Sequence, residues 1–315
     1  MHSDVSCHLD LSGFITRPEI LAHGFDDRMI AACLRQGSLR RIGPGLYTDA
    51  RYDEMSPADK HVLRCHAVAT RFPDAVAFTH QSAALIHGLP LWGASLDRVH
   101  VTRLDSGRGR RQAGVTHHVG GMMLDECAIV DGLPVSNLPR TIWDLACSES
   151  TETALVTIDA ALQQRRVTHR DLFAIADRYA TWRGSRHAKV ALALSDEKAE
   201  SPGESRTRWA FHVGRLPPPV SQFKVFDDNG ELVGIADFAW PEFRHLGEFD
   251  GLMKYGSTSD LAREKAREDR LRALGWGMTR VIWSQLAPAL QPVLISDLRQ
   301  AMEQSRRQFR HHAAA

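Results

Sequence analysis

The sequence predicts an α+β multidomain chain with a winged helix-turn-helix at the N-terminus, a mixed α+β middle region and an α/β domain at the C-terminus. Three observations carry that expectation. Two short capped segments precede a basic hairpin within Leu11–Asp49. A second hairpin pattern spans Val220–Phe238, with Asp227-Asp228-Asn229-Gly230 at its tip, small polar residues that supply positive φ in a tight turn. Between them, the polar stretch SDEKAESPGE ends the middle region before Glu204. The boundaries drawn are 1–55, 56–195 and 196–315. With 315 residues and 43% apolar content, the chain can bury the cores that two or three domains need.

In the first segment Thr16 caps a short helix opened by Arg17-Pro18 and closed at Gly24. Asp26 caps a second helix with Ile30, Cys33 and Leu34 on one face. Leu39–Ile42 then turns at Gly43-Pro44-Gly45 into Leu46-Tyr47-Thr48. In this arrangement Arg28, Arg35, Gln36, Arg40 and Arg41 face a DNA duplex, helix residues toward base edges and wing residues toward phosphate. The bland alternative is a small helical domain with ordinary surface arginines. Gly13-Phe14-Ile15-Thr16, Gly24, Leu34-Arg35-Gln36-Gly37-Ser38-Leu39 and Gly45-Leu46-Tyr47 resemble the N-terminal domain of the AbiEi antitoxins of type IV toxin-antitoxin systems. The resemblance implies binding of double-stranded operator DNA, and a nucleotidyltransferase-like toxin as partner.

In the middle region a helix begins near Pro57, a second runs from His80 to Gly88, and strand-like runs follow at Arg98–Arg103 and Val115–Val119. The arginine-bearing segment Ser106–Arg111 between those runs reads as a solvated loop, with phosphate contact as the alternative. Helical patterns continue from Pro139 to Tyr179. The order of these pieces is similar to a region between a winged helix and a C-terminal domain in many actinobacterial proteins.

The C-terminal hairpin ends in Asp237, and a third apolar run, His245–Phe249, brings Glu248 and Asp250 to its far end. Neighbouring strands lie about 4.8 Å apart. If the last two pair, Asp237, Glu248 and Asp250 converge, and crowded carboxylates call for a compensating cation. Oxygen ligands suit Mg²⁺ or Mn²⁺, which can polarise a phosphodiester and activate water. Lys254 would steady charge developing on phosphorus. An acidic, solvated edge is the plainer reading. The helix Asp260–Leu274 carries Arg263, Arg267 and Arg270 as a basic stripe, or, with Glu264 and Glu268, a salt-bridged face. A strand from Met278 to Trp283 closes the domain, and the tail SRRQFRHHAAA reads as frayed.

Asp237, then Glu248-Phe249-Asp250-Gly251 with Lys254, then a charged helix and Gly275-Trp276 before a last strand, resembles the Vsr-related branch of the PD-(D/E)XK nucleases. By that resemblance the C-terminal domain is of restriction-endonuclease type. Asp237 and Glu248 would hold the metal, Glu204 would be a supporting acid on the preceding helix, and Asp250 an orienting or ligand carboxylate. Two departures stand out: Asp250 occupies the position of the usual lysine, and Lys254 stands where this branch often has histidine. The resemblance thus implies a Mg²⁺- or Mn²⁺-dependent endonuclease-like protein of toxin-antitoxin or defence systems. Its alternative is a non-catalytic antitoxin and transcriptional autorepressor with a degenerate nuclease fold.

The net charge of +1 provides no global basic field, so nucleic-acid binding must come from local patches. The absence of a bilayer-spanning apolar run or signal-peptide pattern predicts a cytoplasmic protein. The five cysteines lack CxxC spacing, and the sixteen histidines lack the local spacing of a zinc enzyme, so both read as structural or surface residues. No P-loop or nucleophile elbow is present.

Overall fold

The computed structural model describes residues 13–72, 76–104, 109–251 and 258–313, the last stretch with side chains over 263–309. Lys254 lies outside the described residues. The chain divides into two compact units, 1–157 with 167–189, and 158–166 with 190–315.

The first unit opens with β1 (Ile15–Thr16), α1 (Arg17–Ala22), α2 (Asp27–Gln36), β2 (Leu39–Gly43) and β3 (Leu46–Asp49). The strands form an antiparallel sheet in the order β1-β3-β2. Thr16 ends β1 and caps α1 in a capping box with Glu19. Asp26 caps α2, and Gly37 closes it at φ 78, a left-handed conformation that costs glycine little. Ile15, Ile20, Phe25, Ile30, Leu39 and Tyr47 form one buried cluster. Each large apolar side chain there contributes about 1.5–3 kcal/mol by leaving water. Phe14 and Leu46 pack against Leu63 and Ala67 of α3 (Pro57–Ala69), extending that core into the rest of the unit.

The remainder of this unit is a six-stranded sheet of β4 (Val76–Phe78), β5 (Val99–Arg103), β6 (Arg110–Gln112), β7 (Val115–His118), β8 (Cys127–Val130) and β9 (Leu133–Ser136). Their order is β6-β7-β5-β4-β9-β8. Around it lie α4 (His80–Ile86), α5 (Leu138–Ser148), the start of α6 (Thr151–Gln163), α7 (His169–Arg178) and the start of α8 (Ser185–Leu194). Arg110 and Arg111, expected in a loop, belong to the exposed edge strand β6, which pairs antiparallel with β7. Arg140 of α5 is 1% exposed and donates to Glu126 at 2.6 Å and to Asp144 at 2.8 Å. Its guanidinium lies 4.5 Å from the ring centres of both Tyr179 and Trp182, so charge and stacking hold it together.

The second unit runs α9 (Pro202–Val213), β10 (Val220–Phe226), β11 (Leu232–Trp240), β12 (His245–Asp250), α10 (Thr258–Ala273), β13 (Gly277–Ile282) and α11 (Gln291–Ala313). The sheet order is β10-β11-β12-β13, antiparallel up to β12, with β13 parallel to β12 after the α10 crossover. At the hairpin tip Asp227 accepts the amides of Asn229 and Glu231, and Gly230 takes φ 80. Phe211, Phe238, Trp240, Val281 and Leu298 belong to one core, and Val225, Val233, Leu246, Leu271 and Trp276 to another. A Cβ on Gly203 would lie 1.9 Å from the Phe249 ring, so only glycine lets α9 approach β12 this closely. The tail expected to fray continues α11 to Ala313, and Phe309 stacks on Arg244, which also covers Trp276.

Candidate nucleic-acid interface and acidic cluster

Because α2 turns its Ile30, Cys33 and Leu34 side inward, residues 28, 32 and 35 emerge on the opposite side. Arg28 and Arg35, seven positions apart, therefore share an outward face and are both exposed, as is Gln36 at the end of the helix. The short β2–β3 connection follows immediately, with Arg41 exposed and its Nε donating to the Gly43 carbonyl at 3.2 Å. Arg17, near the start of α1, is held by Asp27 at 2.7 Å.

Arg40 is placed differently from its neighbours. Its guanidinium pairs with Asp53 at 2.6 Å and donates to the Gly37 carbonyl at 2.6 Å and the Leu39 carbonyl at 3.1 Å. The Asp53 carboxylate holds the Arg40 guanidinium above its ordinary pKa, and Arg40 holds Asp53 below its own. Of the five residues assigned to DNA by sequence, four present side chains outward and Arg40 ties the end of α2 to the segment after β3.

In the second unit, β11 and β12 pair from Phe238↔Gly247 to Trp240↔His245, and Asp237 lies just past that ladder. Its carboxylate turns into the gap and accepts the Phe249 amide at 2.7 Å. Burial pushes Asp237 up to about 6; the Phe249 amide opposes this, and the nearby Glu204, Glu248 and Glu200 charges add to it. Glu204, 7% exposed in the first turn of α9, accepts from Ser201 Oγ at 2.7 Å, from the Glu200 amide at 2.9 Å and from Gln222 at 3.2 Å. Glu204 and Glu248 thus both act electrostatically on Asp237.

Glu248 is nonetheless drawn toward α10 and β13. One oxygen takes Arg267 at 2.6 Å, and the other lies 3.8 Å from Arg280, which sits opposite Glu248 in the parallel register. Arg267 and Arg280 also pair with Glu264, at 2.9 Å and 2.6 Å. Arg270 meets Asp227 at 3.2 Å, so this part of the helix is a salt-bridged face. Asp250 is half-buried at the end of β12. Among the described residues, Asp237, Glu248 and Asp250 do not form a set whose ligand atoms all lie within 4.8 Å of one another. His80, His100 and His118 do. Sequence spacing could not reveal that set, because its members come from the start of α4, from β5 and from β7.

Residues 6–48 match the family model of the AbiEi antitoxin transcriptional regulators. That match supports a DNA-binding, toxin-antitoxin role for the N-terminal segment. Two uncharacterized proteins, from the CDC 1551 / Oshkosh and H37Rv strains of Mycobacterium tuberculosis, are each 30% identical to this chain over 129 residues. The aligned part is 41% of this chain and 47% of each relative, so the chain spans about half the length of the curated relatives it matches. No helix among the described residues is long and apolar enough to cross a membrane.

Proposed function

We propose that this protein is a double-stranded-DNA-binding transcriptional regulator of the antitoxin type. In this reading α2 enters the major groove with Arg35 and Gln36 toward base edges, while Arg28 and Arg41 contact flanking phosphates. The carrying observation is the shared outward face of Arg28 and Arg35 directly before a short wing bearing Arg41. A nucleotidyltransferase-like toxin is the expected partner. In the second unit, Arg267 and Arg280 supply positive charge at Glu248 where a nuclease would use a divalent cation. This favours the non-catalytic form, with the C-terminal domain a nuclease-like fold that no longer cuts.

The rival reading is a Mg²⁺- or Mn²⁺-dependent endonuclease, favoured by the repulsion that Glu204 and Glu248 exert on Asp237. The donor set fits such an ion only in part, since Glu248 is already paired, and no hydrolytic step is assigned to it. The test is a gel-shift and plasmid-cleavage series with the wild type and Asp237→Ala, each with Mg²⁺ or Mn²⁺. The regulator reading expects both proteins to shift duplex DNA equally and neither to nick plasmid. Metal-dependent nicking by the wild type alone would overturn the non-catalytic assignment, and loss of the shift by Arg35→Ala would separately support the interface.

A further inference from the structure

We propose that His80, His100 and His118 form a binding site for a divalent transition metal, Zn²⁺ being the best match. Each offers a ring nitrogen within 4.8 Å of the other two. His100 Nδ1 faces His118 Nε2 at 3.0 Å. Two nitrogens bound tetrahedrally to one zinc, at about 2.0–2.1 Å each, stand about 3.3 Å apart, so this pair is nearly at the required separation. The His80 ring stacks on His118 with centroids 3.8 Å apart and planes 14° from parallel, so His80 must tilt out of this stack for its nitrogen and that of His118 to meet one ion.

The surroundings resemble those of a built metal site. His80 Nδ1 is 3.0 Å from Thr79 Oγ1, which in turn is 3.1 Å from Thr102 Oγ1, and both threonines are buried. With Nδ1 engaged by Thr79, Nε2 is the nitrogen left for the metal. His80 holds φ 54, a conformation unfavourable for a residue with a side chain and frequent at functional positions. His80 is buried and His100 and His118 are half-buried, so the three nitrogens meet away from bulk water.

The charged groups acting on this cluster are Arg140, Arg98 and Arg111, with His61 and His117 also nearby. Arg140 is balanced by Glu126 and Asp144. Arg98 and Arg111 leave a positive rim, so the fourth metal position suits an anionic oxygen, a hydroxide or a carboxylate or phosphate oxygen. The site is carried by the first unit alone and does not depend on the reading of the DNA interface.

The test titrates the metal-stripped full-length protein with Zn²⁺ against a chromophoric chelator and records the visible spectrum with Co²⁺. The expected result is one equivalent of tight metal and the intense visible bands of four-coordinate Co²⁺. His100→Gln and His118→Gln should each lower affinity by about 100-fold or more and abolish those bands. His80→Asn, which tolerates positive φ, tests the third ligand without straining the backbone. Zn²⁺ should raise the melting temperature of the wild type and leave the His100→Gln/His118→Gln protein unmoved. Weak binding of several equivalents that survives these substitutions would show adventitious surface histidines and overturn the proposal, as would an absence of Zn²⁺ binding by a folded wild type.

Discussion

Replacing Arg28, Arg35 and Arg41 together with alanine should weaken DNA binding and flatten its dependence on salt. Each phosphate that is no longer neutralised takes about 0.9 from the slope of log K against log salt concentration, so the two assigned to Arg28 and Arg41 take about 1.8. Over a fourfold rise in salt, the affinity of the wild type should then fall about 12-fold further than that of the triple variant. With Arg35 removed from the base edge it faces, discrimination at that base should relax by about 1–3 kcal/mol. The fold should survive, because all three side chains lie outside the Ile20, Ile30 and Leu39 core. Arg40→Ala is the internal contrast. With its guanidinium engaged by Asp53 and the Gly37 carbonyl, its removal should lower the melting temperature and leave the salt slope unchanged. The assay is fluorescence anisotropy with a labelled duplex across a salt series. An unchanged slope in the triple variant, or a slope in Arg40→Ala reduced as far as the triple's, would refute the assignment of the interface.

Three further outcomes follow from the packing and charges. Arg140→Met leaves Asp144 buried without its cation and should cost about 3–5 kcal/mol in urea unfolding; a loss below about 1 kcal/mol would mean the cage is dispensable. Asp237→Asn should stabilise the protein at pH 7–8 and much less near pH 4. A carboxyl whose folded pKa is raised from 3.8 to about 6 makes the wild type lose stability as pH rises through that window. Solvent screening at this half-buried group brings the expected gain to about 1–2 kcal/mol, and calorimetry at the two pH values checks it. Gly203→Ala should destabilise by about 1–3 kcal/mol through collision with Phe249, and Gly203→Ala/Phe249→Leu should recover part of that loss; no recovery would place the strain elsewhere.

Where the sequence carries a local signal, the structure follows it. Thr16 and Asp26 cap the helices expected of them, and Asp227–Gly230 makes the expected turn. Short central strands are illegible: Val76–Phe78 is three residues buried on both faces, with no alternation to read. The β8–β9 hairpin does leave a cue in Asp131-Gly132, both at positive φ, between two runs that do not otherwise read as strands. The C-terminal tail holds its helix against expectation because its pairing with Arg244 is a long-range contact. At the acidic cluster, strand order predicts the approach of Asp237 to Glu248, but not that Arg267 and Arg280 claim Glu248. The histidine set is a product of sheet topology, since β5 and β7 are parallel neighbours and α4 follows β4.

The most direct measurement is hydrogen exchange of the full-length protein with and without a duplex selected from a random-sequence pool. The account predicts new protection concentrated in α2 and the β2–β3 hairpin, residues 27–49, and little change in the second unit. Failure of the pool to yield any bound duplex, or protection centred on β11 and β12 instead, would contradict it.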